Sequence, residues 1–241
     1  MPRIYISPSS QERNVGIAPF TNEETEMNKI ANILIPLLDK DDRFVTKRNS
    51  PSWDVSQMAV DSNNFKADIH VAIHSNAGGG VGTEVYAYGS GTNSEKLAKA
   101  LYSQVAPLSP GKDRGVKFNK GLYEVGDHVK ATSALIELGF HDNALDAQWL
   151  HSDHRQIAEA MYRGICDFYA YNYKALVVAA PVAPTVEAVT IVKRVINFDS
   201  PSTYPADDFD VYVLMRVRNS LADSMSKGLM DAGISNAKVK I

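Results

Sequence analysis

Along the first 173 residues the spacing of apolar positions switches repeatedly between a period of about 2 and one of about 3.6, which predicts strands alternating with helices. "RIYIS" reads as a first strand. "TNEETEMNKIANILIPLL" sets Met27, Ile30, Ala31, Leu34 and Leu38 near helical spacing, with Pro36 expected to kink or shorten the last turn. "RFVTKR" is a short strand, "VSQMAVDSNNF" a helix, and "DIHVAIH" and "GTEVYAY" are strands. Thr92 with Glu95 three residues on is a capping-box pattern that opens the helix "NSEKLAKALYSQV". "GLYEV" and "SALIELGF" read as strands, and "NALDAQWLHSDHRQIAEAMYRGICDFYAY" as a long closing helical region.

The alternation implies an α/β fold with a twisted, mainly parallel central sheet flanked by helices. The apolar "VAI" and "ALI" suit buried central strands. Ligands of such folds gather beyond the carboxyl ends of the strands. This domain is assigned to residues 1–173, and a linker to 174–187 around the Ala-, Val- and Pro-rich "ALVVAAPVAPTVE". Residues 188–241 hold strand candidates "VTIVKRVI" and "DVYVLMRVR", the helix candidate "SLADSMSKGLMDAG" and a final "AKVKI". They are expected to form a small C-terminal α+β module.

Composition narrows the function classes. A net charge of −3 without a basic stripe argues against a nucleic-acid partner. No apolar run approaches the roughly 18 residues of a membrane span. The N-terminus "MPRIYIS" lacks the basic and apolar regions of a classical secretory signal, so synthesis in the cytoplasm is expected. The one cysteine, Cys166, sits in "YRGICDFYAY" and reads as a core thiol.

The candidate chemistry clusters at predicted strand ends. His74 closes "DIHVAIHSNAGGG", followed by Ser75, Asn76 and glycines that let the backbone turn. His70 lies at the start of that strand and reads as a bystander. Glu137, inside the apolar "ALIELGF", is costly to bury unless paired or near a metal. His141 and Asp142 follow at the same mouth. Glu24, three residues after Thr21, is explained better by capping than by ligation on spacing alone. His128, His151 and His154 read as loop or solvated residues. A zinc hydrolase would need about three such ligands, an open position and a carboxylate to move protons.

Taken together, "IHSNA", "ALIELGFHDN", the spacing Glu24-x-x-x-Asn28, "RGVK" and the closing "IAEAMYRGICDF" resemble the zinc-dependent N-acetylmuramoyl-L-alanine amidases of bacterial autolysins and phage endolysins, over about residues 2–171. The resemblance implies a peptidoglycan hydrolase that cuts between N-acetylmuramic acid and L-alanine with a water activated by Zn2+. It makes His74 and Glu24 metal ligands and Glu137 the catalytic carboxylate; Asn76 and His141 are candidate substrate contacts, with a place behind the ligands or at the helix entry equally open for His141. It also implies action at the cell wall after holin-mediated or other lytic release.

One departure stands out. Where the family carries its first histidine ligand, this chain reads "ISPSSQERN", with no histidine before His70. Gln11 is the expected replacement, by its amide oxygen. His141 swinging in, or a metal-poor protein that binds peptidoglycan on an amidase-like fold without cutting it, are the alternatives.

Overall fold

The computed structural model describes residues 1–111 and 114–174. The chain divides into two units, Met1–Ala183 and Pro184–Ile241. The linker and the C-terminal module expected from the sequence lie outside the described residues.

The elements run β1 (Arg3–Pro8), α1 (Glu23–Asp39), β2 (Val45–Arg48), α2 (Val55–Phe65), β3 (Ile69–Asn76), β4 (Glu84–Ala87), α3 (Asn93–Val105), β5 (Val116–Phe118), β6 (Thr132–Phe140), α4 (Ala144–Ser152) and α5 (His154–Phe168). They build a six-stranded sheet in the order β2-β1-β3-β6-β4-β5. All pairings are parallel except β4 with β6. The link over residues 77–83 holds no helix, so β4 returns in the opposite direction, as a short connection requires.

The two faces of the sheet differ, and the period of 2 along each strand decides which residues go where. Ile4, Ile6, Ile69, Val71, Ile73, Ala134, Ile136 and Leu138 join one large core, which includes buried residues of α1, α3 and α5. Alternate positions build only a small second cluster of Ala72, Val125 and Leu135. Tyr5, Ser7, His70, His74 and Glu137 alternate with the core-facing residues of their strands, and α2 and the segment 119–130 meet this second face. Met58 and Asp61 of α2 receive hydrogen bonds from Ser7 and Tyr5, and Asn63 holds the backbone of His128 and Lys130.

Several local expectations are corrected. "GLYEV" forms no strand: residues 119–126 close as consecutive turns, with Leu122 N–H donating to Asn119 O, and Val125 and Gly126 N–H to Leu122 O. A Cβ on Gly126 would lie 2.2 Å from Lys120 O, so the turn is too tight for a side chain there. β5, unassigned from the sequence, is a three-residue strand beside β4. The closing helical region is two helices that break at Asp153. Pro36 does not end α1, which runs three residues further, to Asp39, with Pro36 on its exposed side. Cys166 is buried, as expected of a core thiol.

Candidate active site

The start of α1 sets the site's register. Its N-cap is Asn22, whose Oδ1 accepts from Thr25 N–H at 2.8 Å; Thr21 instead donates its hydroxyl to Glu26. Glu23 is therefore the first helical residue and faces inward, 1% exposed, while Glu24 is turned by about 100°. Glu23 Oε1 lies 2.8 Å from His74 Nδ1 and 3.3 Å from Ser75 N. Glu24, the glutamate assigned to the metal from the sequence, instead lines a separate groove with Asn28, Asn32 and Arg48. The glutamate that meets His74 is thus Glu23, one residue before the expected Glu24.

His74 ends its strand in register with Glu137 of β6, and Glu137 is in register with Glu84 of β4. Register partners project to the same face, so this imidazole and two carboxylates stand in a row. Burial pushes Glu137 up to about 7; His74 opposes that shift, and Glu23 and Glu84 add to it. Glu137 Oε2 is buried with no hydrogen-bond partner among the described residues. Glu84, by contrast, is neutralised by Arg114 and Lys117, each 2.5 Å from its Oε2.

Both nitrogens of His74 face carboxylates. Nδ1 meets Glu23, and Nε2 lies 3.5 Å from Glu124 Oε2, too long for a well-formed hydrogen bond. Burial opposes charging this ring, but Glu124 and Glu23 outweigh it and hold His74 well above the usual imidazole value. Glu23 is held below the usual carboxylate value: burial pushes it up, and the bond to His74 more than compensates. Carboxylates on both sides of the ring thus favour a positive charge on it.

Gln11 lies where the sequence reading expects it, with its Nε2 3.3 Å from His74 Nδ1. Its amide oxygen, however, accepts from Asn14 Nδ2 at 3.0 Å, and the same Asn14 nitrogen donates to Glu23 Oε2 at 2.6 Å. This network turns the nitrogen, not the oxygen, of Gln11 toward His74. Among the described residues no three His, Cys, Asp or Glu side chains converge to hold a metal. A metal at Glu23 and His74 thus needs a donor of another kind, and Gln11 is the side chain in place. Donors around a tetrahedral zinc stand about 3.3 Å apart, so the separations of 2.8 and 3.3 Å fit the group after a small opening and an amide rotation.

The other sequence candidates are placed differently. His141 is 3% exposed, stacks on Phe20 and pairs its Nδ1 with Ser75 Oγ at 2.9 Å. Ser75 alternates with His74 along β3, so His141 serves the opposite side of the strand and reaches neither the metal donors nor open solvent. Asn76 donates to Glu84 and caps its own turn at Ala77 N. His151 and His154, expected in solvent, both bond the buried Glu26, at 3.1 and 2.7 Å.

Two residues of the site were missed. His70, taken as a bystander, is fully buried with its Nε2 3.0 Å from Glu124 Oε1. Glu124, 2% exposed, also accepts from Ser7 Oγ at 2.5 Å. Burial pushes Glu124 up, yet His70 and His74 hold it at about 2. The spacing of His70 and His74 on one strand already puts both on one face. Glu124 carries no comparable signal, because a turn brings it in.

The profile of the N-acetylmuramoyl-L-alanine amidases matches residues 4–167. The chain belongs to the N-acetylmuramoyl-L-alanine amidase family. It is 33% identical over 135 residues to the uncharacterized protein YqiI of Bacillus subtilis (strain 168), covering 54% of this chain and 61% of that one. It is 25% identical over 158 residues to the N-acetylmuramoyl-L-alanine amidase CwlM of Bacillus licheniformis, covering 63% and 62%. The chain thus spans about three-fifths of the length of both relatives. The catalytic domain of the amidase CwlV from Bacillus (Paenibacillus) polymyxa var. colistinus shares the fold, with a TM-score of 0.65 at 21% identity, over 71% of this chain and 100% of that one.

Proposed function

We propose that the described unit is a zinc-dependent amidase that hydrolyses the bond between N-acetylmuramic acid and L-alanine in bacterial peptidoglycan. The observation that carries this reading is the row of His74 and Glu137 at adjacent strand ends, with Glu23 of α1 on His74 Nδ1. Glu23 and His74 would hold the metal, with Gln11 as third donor once its amide turns. When bound, zinc supplies Lewis acidity toward the scissile carbonyl and the attacking water.

Glu137 then acts as the proton carrier. Its unpartnered oxygen gives it a free acceptor beside the metal donors, and burial leaves it able to take and return a proton near neutral pH. It accepts the proton of the attacking water and delivers it to the departing alanine nitrogen. Glu84, paired with Arg114 and Lys117, stays ionised and contributes field rather than proton transfer. The setting is the cell wall, reached after lytic release; among the described residues no helix is long and apolar enough to cross a membrane.

The test is digestion of purified walls by the full chain, with and without a chelator. The expected result is release of new N-terminal alanine that stops on chelation and returns with zinc, and that Glu137→Gln loses while keeping its zinc. Wall binding without any release of alanine would overturn the reading in favour of a non-catalytic binder.

A further inference from the structure

We propose that Glu124 is a positioning residue for His74, held in place by Ser7 and His70, and that it aims His74 Nδ1 at the metal donors. The inference rests on the zinc reading above and goes one layer further out. Glu124 comes from a tight turn rather than a strand, 54 residues from His70 and 117 from Ser7, and it is 2% exposed. A buried carboxylate is strongly unfavourable unless it is compensated from several sides. Here the hydrogen bonds fall on one oxygen and leave the other facing His74. Ser7 Oγ and His70 Nε2 close on Oε1 at 2.5 and 3.0 Å, and His74 Nε2 faces Oε2 at 3.5 Å.

The consequence for His74 is directional. Were a metal to replace the proton between Glu23 and Nδ1, the carboxylate on the Nε2 side would keep the ring proton on Nε2 and leave the Nδ1 lone pair to that metal. Nδ1 is the nitrogen that meets Glu23 and Gln11. A ligand histidine whose other nitrogen faces a carboxylate is fixed in tautomer and orientation and made more basic toward the metal. His70 is the support of this arrangement: it stacks on Tyr5 with ring centroids 5.1 Å apart, and Tyr5 is tied to Asp61 of α2. Ser7, His70 and His74 all project from β1 and β3 to one face, so the carboxylate from the turn is received by a preformed set of donors.

The test measures zinc affinity of the full chain by chelator competition and the protonation of His74 Nε2 in the zinc-loaded protein by nitrogen NMR. Glu124→Gln, which keeps the shape and removes the charge, is expected to weaken zinc about tenfold or more at an unchanged stoichiometry of one. It is also expected to shift the His74 nitrogens away from the pattern with the proton on Nε2. Should this variant fail to fold, Ser7→Ala removes one donor to Glu124 and is expected to weaken zinc severalfold with the same NMR trend. Unchanged zinc affinity and an unchanged tautomer in a folded variant would overturn the role. So would nitrogen NMR of the zinc-loaded chain that shows a His70 nitrogen binding the metal, since His70 and Glu124 would then be ligands themselves. A wild-type chain that binds no zinc at Glu23 and His74 would instead overturn the parent reading.

Discussion

At the scale of single residues, the chemistry depends on which of two adjacent glutamates meets an imidazole. Glu23 Oε1 lies 2.8 Å from His74 Nδ1, while the Glu24 side chain belongs to a polar groove beside Arg48. Glu23→Gln is expected to lose stoichiometric zinc, and Glu24→Gln to retain it, as measured by metal analysis after zinc loading and desalting. Equal retention in both variants would return the ligand role to neither. The Glu23 role was not legible in the sequence, because a helix turns by about 100° per residue and the start of the helix sets which glutamate faces inward. Thr21 and Asn22 are both good caps, and only the folded chain selects Asn22. His74 and Glu137 were legible, since each sits at or near the carboxyl end of an apolar strand.

At the scale of elements, α3 and α5 approach closely at Gly164. A Cβ added at Gly164 would lie 2.8 Å from Leu101 Cα and 2.9 Å from Ala100 O, backbone that cannot swing aside. Gly164→Ala is expected to destabilise the fold by about 1–3 kcal/mol, although alanine favours helix, because overpacking outweighs propensity. Chemical denaturation checks this; an unchanged or raised midpoint would show that the helices separate freely. The helices themselves follow from their spacing: α2 and α3 begin and end where the periodicity places them. The failures lie at "GLYEV" and β5, short segments in which turn geometry and a neighbouring strand override local preference.

For the whole molecule, Glu26 ties α1 to α4 and α5. It is fully buried and takes hydrogen bonds from Thr21, Lys29, His151 and His154. Burial pushes its carboxyl up, but His154 and the other donors bring it down to about 2. An unfolded glutamate titrates near 4.3, so between about pH 4 and pH 2 the unfolded chain binds more protons than the folded one. The stabilisation is thus present above that range and is lost as pH falls through it. Glu26→Gln is expected to be less stable than wild type at neutral pH, with the gap narrowing to nothing near pH 2. A gap independent of pH in thermal unfolding would show that the charge is not the stabilising part.

The sequence by itself determined most element types, the mainly parallel sheet and the strand ends where chemistry gathers, because those depend on spacing within a few residues along one segment. Tertiary structure decided that Glu23 rather than Glu24 faces His74, that His141 turns away with Ser75, and that a turn delivers Glu124 between His70 and His74. Such meetings join residues dozens of positions apart. They are settled by which face a strand presents and how a cap or tight turn sets the angle of a side chain, not by the residue types alone.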